Sequence, residues 1–156
     1  MRVGHGWDLH RMAPGRPCRI GGLTIAYFKG PVGHSDGDVV LHALADAMLG
    51  AAAMGDIGML FPDTDPRWRG ADSAALLQDV VARVRGAGFS VGNVDVTIVA
   101  QEPKIGPHRE ALRECLAGLL GVGTDRVSVK AKTAEGLGDI GAGNAVACHA
   151  VVLLES

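Results

Sequence analysis

The stretch from residue 33 to residue 66 reads GHSDGDVVLHALADAMLGAAAMGDIGMLFPDTDP, and it holds the longest helical pattern of the chain. Alanine and large apolar residues fill 39–54, which predicts a helix that Asp36 or Asp38 caps and that Gly55 ends. Three acids, a glycine and a proline crowd 56–65, which predicts a loop. The stretch therefore predicts one long Ala/Leu-rich helix between two polar loops.

The segments on either side alternate between strand and helix patterns. We predict strands over 2–10, 91–100, 126–132 and 145–154, a hairpin over 19–27, helices over 73–87 and 107–120, and a glycine-rich loop over 136–143. No repeat or linker interrupts this order. The sequence therefore predicts one domain over residues 1–156, with an α/β fold (an α+β sandwich) in which helices pack on one face of a single mixed sheet.

Composition excludes several classes of protein. The chain has 156 residues, a formal net charge of −2 and 47% apolar residues, with no basic cluster, so we expect no nucleic-acid partner. The longest apolar run is too short to span a bilayer, and the N-terminus has no signal-peptide pattern, so we expect no membrane association. The three cysteines are widely spaced, which favours reduced thiols and a cytoplasmic protein.

Three residues have the character of zinc ligands. Asp8 and His10 are two apart, so on a strand their side chains point to the same face. With His42 near the start of the long helix, they give a three-ligand set that leaves one position of a zinc ion open. Asp46 lies one helical turn after His42, where it could orient the imidazole. A D-x-H pair alone is a weak signal of a metal site. In the structural alternative, His42 is a buried histidine whose ring hydrogen-bonds to Asp46.

The motifs resemble one enzyme family nearly end to end. GHGWDLHRM (4–12), the long stretch 33–66, GNVDVTIVAQEPKIGPH (92–108) and KAKTAEGLGDIG (130–141) together look like the cyclodiphosphate synthase family. The resemblance implies a homotrimer with active sites between subunits. It also implies a substrate, 4-diphosphocytidyl-2-C-methyl-D-erythritol 2-phosphate, that is converted to the 2,4-cyclodiphosphate and CMP in the non-mevalonate isoprenoid pathway.

The resemblance also implies roles for individual residues. Asp8, His10 and His42 match the Zn²⁺ ligands, and Glu135 matches the ligand of a second divalent ion, Mg²⁺ or Mn²⁺. The residues that match the part of the site around the methylerythritol and the diphosphate are His34, Ser35, Asp56, Ile57, Gly58, Phe61, Pro62, Asp63, Thr64 and Asp65. The residues that match the cytidine pocket and the nucleotide-phosphate segment are Ala100, Gln101, Glu102, Pro103, Lys104, Ile105, Gly106, Lys132, Thr133, Ala134 and Glu135.

This chemistry needs positioning and charge neutralisation more than it needs a nucleophilic side chain. The 2-phosphate attacks the β-phosphorus of the cytidine diphosphate, and both groups are anionic. Metal ions at the two ends would neutralise charge and fix the approach. We expect His34 to hold the erythritol hydroxyls and Thr133 to donate to a phosphoryl oxygen. Each of these assignments has a structural alternative: Asp56, Asp63 and Asp65 could be loop acids, and Lys104 could be a solvated cation.

The chain departs from the family pattern at two places. DIGAGNA (139–145) stands where better-known members have FTGRGEG, so Ala142 replaces an arginine that grips isoprenoid diphosphates on the trimer axis. We therefore expect weak binding of such diphosphates. Lys132 and Ala134 replace two threonines of a TTT run, which adds a cation beside the nucleotide phosphates.

Two other functions remain open at this stage. A zinc phosphodiesterase would use water at the open zinc position and would incorporate solvent oxygen into its product. A non-catalytic trimeric binding module for CDP or isoprenoid diphosphates would bind cytidine nucleotides without turnover. Intact ligands for two metal sites argue against the binding module.

Overall fold

The computed structural model describes residues 1–156, and its elements follow the predicted order with three additions. The strands are β1 (Arg2–Pro14), β2 (Cys18–Ile20), β3 (Leu23–Ile25), β4 (Lys29–Val32), β5 (Ser90–Val99), β6 (Val127–Lys132) and β7 (Ala145–Glu155). The helices are α1 (Val39–Ala52), α2 (Ile57–Leu60), α3 (Ser73–Gly86), α4 (Arg109–Leu120) and α5 (Gly138–Gly141). The additions are β4 and the two single-turn helices α2 and α5.

The sheet is mixed, as the sequence predicts. Its five strands run in the order β4-β1-β7-β5-β6, and only β5 and β6 are parallel. The strands β2 and β3 form a separate hairpin. Because β5 and β6 are parallel, the loops that follow both strands leave the sheet at the same edge, which brings residues 100–106 close to residues 133–136.

The long helix α1 lies directly on β1 because two glycines allow it. Gly4 and Gly6 face the helix, and a Cβ atom on either would collide with a backbone carbonyl, of Ala47 or Ala43 respectively. Asp8 and His10 follow on the same face of β1. This close packing therefore places the N-terminal turn of α1 above the D-x-H pair.

Asp38 ties the start of α1 to the β2–β3 turn. Its buried carboxylate accepts hydrogen bonds from the amides of Gly21 (2.8 Å) and Gly22 (2.7 Å) in the turn. It also accepts from the amides of Val40 and Leu41, both at 3.2 Å, in the first turn of the helix. Of the two candidate caps, Asp38 is therefore the helix cap, and it also holds the hairpin.

One face of the sheet carries the helices and the other is bare. The helix-facing residues of the strands form the core with α1, α3 and α4. We name the opposite surface the bare face; its exposed apolar residues, with their exposed fractions, are Val3 (69%), Trp7 (52%), Leu9 (44%) and Val151 (42%). None of the helices has the length and apolar character needed to cross a bilayer.

The main differences from the predicted elements are the ends of one strand and one helix and the assignment of two loops. The first strand continues to Pro14, beyond the predicted His10, because β4 pairs with its second half. The long helix ends at Ala52, since Ala53 adopts a left-handed conformation (φ 58°) two residues before Gly55. The predicted loops 56–65 and 136–143 each contain a helical turn, α2 and α5.

Candidate metal centre

Three ligand atoms meet where α1 crosses β1. Asp8 Oδ2 lies 2.9 Å from His10 Nε2 and 3.1 Å from His42 Nδ1, and the two nitrogens are 3.1 Å apart. Ligands at zinc distances of 2.0–2.2 Å in a tetrahedron are about 3.3–3.6 Å apart, a little more than the edges of this triangle. The triangle is therefore close to the size that one zinc ion requires, and its side chains are only partly buried.

The other nitrogen of each ring has a partner that fixes the tautomer. His10 Nδ1 lies 2.8 Å from the carbonyl oxygen of Val32, which can only accept, so Nδ1 carries the proton. His42 Nε2 lies 2.9 Å from Ser73 Oγ, whose own proton goes to Asp36 through a short hydrogen bond. Ser73 must therefore accept from His42. Both lone pairs, on His10 Nε2 and His42 Nδ1, are left facing Asp8, as metal ligation requires.

The charge of the centre favours a cation. Burial raises the pKa of Asp8, but the hydrogen bonds and charges of His10 and His42 together lower it by more. The pKa of Asp8 therefore lies well below the usual range. Burial lowers the pKa of His10, and the hydrogen bond and charge of Asp8 outweigh this, so that its pKa is raised. Asp8 is consequently an anion at neutral pH, and its nearest groups are two imidazoles. A divalent ion between the three groups could accept both imidazole lone pairs and would neutralise the carboxylate.

In this structure Asp46 bonds a partner other than the predicted His42 ring. Its Oδ1 accepts a hydrogen bond from the amide of Ile57 at 2.8 Å, whereas the His42 ring bonds Asp8 and His10 on one side and Ser35 and Ser73 on the other. One helical turn separates Asp46 from His42, but the tertiary fold points its carboxylate at the amide that begins α2. Asp46 thus positions the loop after α1.

Ser73 makes the contact with the His42 ring that the sequence led us to expect of Asp46. It lies at the start of α3, its side chain is buried, and both its hydroxyl and its amide bond Asp36. No sequence motif marks it, because the contact with His42 spans 31 positions. Asp36, by contrast, belongs to the HSDGD loop that the sequence singles out.

We expect Ser73→Ala to weaken zinc binding about tenfold. The substitution removes the anchored acceptor of His42 Nε2–H, and losses of this kind typically cost ~10–100-fold in metal affinity. Ser35 Oγ, 3.0 Å from the same nitrogen, retains part of the contact. Competition with a coloured chelator measures the zinc affinity. The matched control is Ser90→Ala, at the first residue of β5. Equal affinities for the two variants would refute the orienting role.

The metal centre opens into a cavity of about 270 Å³. Its lining joins the three ligands to residues of the loops before and after α1 and to the start of α3. The lining residues are Asp8, His10, His34, Ser35, Leu41, His42, Ala45, Ile57, Phe61, Asp63, Trp68, Ser73, Leu76 and Leu77. Trp68 packs edge-on against Phe61, and its buried indole N–H has no hydrogen-bond partner, so it offers a donor to a bound molecule. The sequence did not indicate Trp68 or the apolar wall.

The remaining predicted residues of the 56–65 loop lie outside this lining. Asp56 caps α2 by accepting from the amide of Met59, and Asp65 accepts from the amide and side chain of Arg67. Gly58 lies within α2, and Pro62 and Thr64 flank Asp63. These two acids therefore hold the loop together in the free chain, which is the structural alternative that the sequence left open.

The two predicted nucleotide segments lie together but away from the metal centre. The amide of Ala100 donates to the carbonyl of Lys132 (2.9 Å), and the amide of Gly136 donates to the side chain of Gln101 (3.2 Å). The cavity at the metal centre includes no residue of 100–106 or 132–135. Within one chain, the predicted site is thus in two separate halves.

Within the second half, several side chains bond each other. Thr133 Oγ1 donates to the carboxylate of Glu135 (3.1 Å), and Lys104 lies 3.1 Å from Glu102. Glu135 has a positive φ of 52°, a conformation that non-glycine residues adopt at a cost and that is enriched at functional sites. Pro103 and Ile105 are buried beneath the segment, and Gly106 begins a turn of 3₁₀ helix.

The altered loop 139–145 borders a wide cleft on the bare face. Asp139 and Asn144 line it, and Ala142 contributes no cation, as the sequence indicates. Arg11, on β1, lines the same cleft. The cleft therefore still has one arginine, which the sequence comparison with the family motif did not indicate.

Comparison with known proteins agrees with this architecture over the whole chain. A model of the YgbB family matches residues 1–155. The 2-C-methyl-D-erythritol 2,4-cyclodiphosphate synthase of Trichlorobacter lovleyi is 56% identical over 154 residues, covering 99% of this chain and 98% of the relative. The synthase of the same name from Pseudomonas paraeruginosa is 58% identical over 154 residues, with the same coverage of both chains. A solved structure of such a synthase in a CDP-bound form superimposes with a TM-score of 0.91 at 44% identity, covering 99% of this chain and 100% of that one. This chain belongs to the YgbB family.

Proposed function

We propose that this protein converts 4-diphosphocytidyl-2-C-methyl-D-erythritol 2-phosphate to 2-C-methyl-D-erythritol 2,4-cyclodiphosphate and CMP. The observation that carries the proposal is the triangle of Asp8, His10 and His42, with both imidazole tautomers fixed for metal ligation, at the mouth of a cavity. Its relatives of 56% and 58% identity carry the name of this synthase over nearly their full length. The enzyme is accordingly a metal-dependent phosphorus–oxygen lyase of isoprenoid precursor synthesis, acting in the cytoplasm, where its three free thiols stay reduced.

The residues of the cavity would hold the reacting groups. Zinc bound by the three ligands would supply a Lewis acid that polarises a phosphoryl group. His34, Ser35 and Asp63 offer donors and acceptors for the erythritol hydroxyls, and the Trp68 N–H offers one more donor. The 2-phosphate and the β-phosphorus belong to the same substrate molecule, and holding them within reach and in line favours their intramolecular reaction. The P–O bond to CMP breaks as the new P–O bond forms, so no water is consumed.

We propose that three chains assemble into a homotrimer. In each active site, residues 100–106 and 132–135 of one chain would lie beside the Asp8, His10 and His42 cavity of its neighbour. The separation of the two halves within one chain supports this, because a single substrate must span both. The bare face supports it also, since Val3, Trp7 and Val151 are exposed there and apolar surface of this kind favours association. A homotrimer that buries this face would join the halves.

Substituting a charge on the bare face is expected to break this assembly. Val151→Glu places a carboxylate where we expect subunits to meet, and a buried unpaired charge costs several kcal/mol. Sedimentation velocity should show a trimer for the parent protein and mainly monomer for the variant, with turnover reduced at least tenfold. Gln78→Glu on the exposed side of α3 adds the same charge elsewhere and should leave the trimer intact. A trimeric Val151→Glu protein would place the interface on another surface.

Glu135 should show opposite effects on stability and activity. We propose that it binds the second divalent ion, Mg²⁺ or Mn²⁺, beside Lys132, Thr133 and Ala134. Glu135→Gly removes that ligand but accepts the left-handed conformation freely, which offsets a conformational cost of about 1 kcal/mol. The melting temperature should therefore stay the same or rise, while turnover at limiting Mg²⁺ falls at least tenfold. Equal turnover at all Mg²⁺ concentrations would remove Glu135 from the metal site.

Oxygen-18 water distinguishes cyclisation from the hydrolase alternative. A zinc phosphodiesterase takes its nucleophile from solvent, so one product gains an ¹⁸O atom. Intramolecular attack by the 2-phosphate leaves both products unlabelled. Mass spectra of the CMP and diphosphate fractions should show no ¹⁸O; a labelled product would establish hydrolysis. Tight binding of CDP without any product would establish the non-catalytic binding module.

A further inference from the structure

Two histidines outside the metal centre lie side by side on the bare face. Trp7 on β1 pairs with His149 on β7, and His5 pairs with Val151, so His5 and His149 are diagonal neighbours. Their rings stack with centroids 5.4 Å apart and an interplanar angle of 27°. His5 Nε2 lies 3.2 Å from His149 Nδ1. Asp8, His10 and His42 belong to the opposite, helix-covered side.

The contact between these rings leaves one nitrogen of each ring without a hydrogen-bond partner. It is the only hydrogen bond that either ring makes, and no carboxylate pairs with either imidazole. One nitrogen must donate and the other accept, and the remaining nitrogen of each ring has no protein partner. Protonating both rings would place two positive charges next to each other. The pair therefore presents imidazole lone pairs with no built-in counterpart within the chain.

The spacing of the two nitrogens suits a transition metal. Two imidazoles on one tetrahedral zinc ion, each at 2.0–2.1 Å, hold their nitrogens about 3.3 Å apart. The 3.2 Å separation in this chain is close to that value and slightly wider than the edges of the metal centre, which are 2.9–3.1 Å. Only ring rotations are needed to aim both lone pairs at one ion, because the paired strands β1 and β7 already fix the Cα positions.

We propose that His5 and His149 form a second transition-metal site, distinct from the centre of Asp8, His10 and His42. The site takes an ion that prefers imidazole, such as Zn²⁺, Cu²⁺ or Ni²⁺, and rejects Mg²⁺. Two positions of a tetrahedral ion remain for water or another ligand. The bound ion would link the first and last strands of the chain through their side chains. Both histidines belong to one chain, so the site does not depend on the proposed reaction. They lie on the bare face that the proposed homotrimer would bury, so the two remaining positions of the ion would face a neighbouring subunit.

Counting bound ions tests the site directly. Equilibrium dialysis against Zn²⁺, followed by elemental analysis, should give one ion fewer per chain in His149→Gln and in His5→Gln than in the parent protein. His108→Gln, which removes a histidine from the turn before α4, is the matched control and should retain the parent count. The ion at Asp8, His10 and His42 should stay in every variant, which also shows that each is folded. Equal counts in His149→Gln and His108→Gln would overturn the proposal.

Fluorescence gives a second readout next to the pair. Trp7 lies 6.4 Å from His149 between ring centroids, and the other tryptophan is Trp68. In Trp68→Phe protein loaded with Zn²⁺, added Cu²⁺ should quench Trp7, and His149→Gln should abolish the quenching at the same Cu²⁺ concentration. Quenching that persists unchanged in the double variant would place the Cu²⁺ elsewhere and contradict the site.

Discussion

The His42→Ala variant should lose turnover by a factor on the order of 10³ or more. The substitution removes Nδ1, one of the three ligand atoms that lie 2.9–3.1 Å from each other. Lewis-acid stabilisation by a bound metal ion is worth several kcal/mol, and each 1.36 kcal/mol is a factor of ten in rate. Release of CMP from the cytidine-diphosphate substrate at saturating Zn²⁺ and Mg²⁺ measures the effect.

Three measurements separate loss of metal from loss of fold. Zinc content after dialysis should fall in His42→Ala, while the circular dichroism spectrum stays that of the parent protein. His108→Ala removes an imidazole outside the site and should keep both the zinc and the rate. A His42→Ala protein that retains more than a tenth of the parent rate would show that the metal centre does not carry the reaction.

Asp38→Ala should destabilise the fold by about 4 kcal/mol. The side chain accepts four backbone N–H bonds, two from the β2–β3 turn and two from the first turn of α1; three of these contacts are buried and the one with Gly22 is partly buried. Each buried donor left without a partner costs about 1–3 kcal/mol, and water can reach only some of them. For a chain of this length, such a loss lowers the melting temperature by about 8–16 °C.

Urea denaturation of two cap variants tests this estimate. Asp72 caps α3 through one hydrogen bond to the amide of Ala74 at an exposed position, so Asp72→Ala should cost about 1 kcal/mol. The Asp38→Ala loss should be several times larger, and Asp38→Asn should fall between the two because one of its side-chain atoms can still accept. Equal losses for Asp38→Ala and Asp72→Ala would show that the hairpin does not depend on this carboxylate.

The sequence predicted the elements whose patterns are local and missed those that depend on pairing. The helix from Val39 was predictable because its apolar residues recur over several turns and an acid precedes it. The strand Lys29–Val32 was not, since its KGPV sequence contains Gly and Pro, which are poor strand formers away from an edge. It occurs at the edge of the sheet, paired only with β1. The left-handed Ala53 likewise gives no local signal.

The residues of the candidate metal centre were predictable from the sequence, and the partners of their rings were not. Asp8 and His10 share a face by strand alternation, and the fold confirms that His42 joins them. Ser73 hydrogen-bonds to the His42 ring and the carbonyl of Val32 to the His10 ring, both across long sequence separations. Neither residue type is characteristic of a metal site. Helical spacing, the only guide in the sequence, favours Asp46 as the partner of His42. The amide of Ile57, which Asp46 bonds instead, becomes its neighbour only when the chain turns after α1.

Phosphorus NMR of the reaction distinguishes cyclisation from hydrolysis and from binding without turnover. The purified protein is mixed with 4-diphosphocytidyl-2-C-methyl-D-erythritol 2-phosphate, Zn²⁺ and Mg²⁺, and the resonances are followed to completion. If the protein catalyses the proposed cyclisation, the substrate signals are replaced by those of CMP and of a cyclic diphosphate in equal amounts. CMP together with a linear diphosphate, or an unchanged spectrum from folded, zinc-loaded protein, would contradict it.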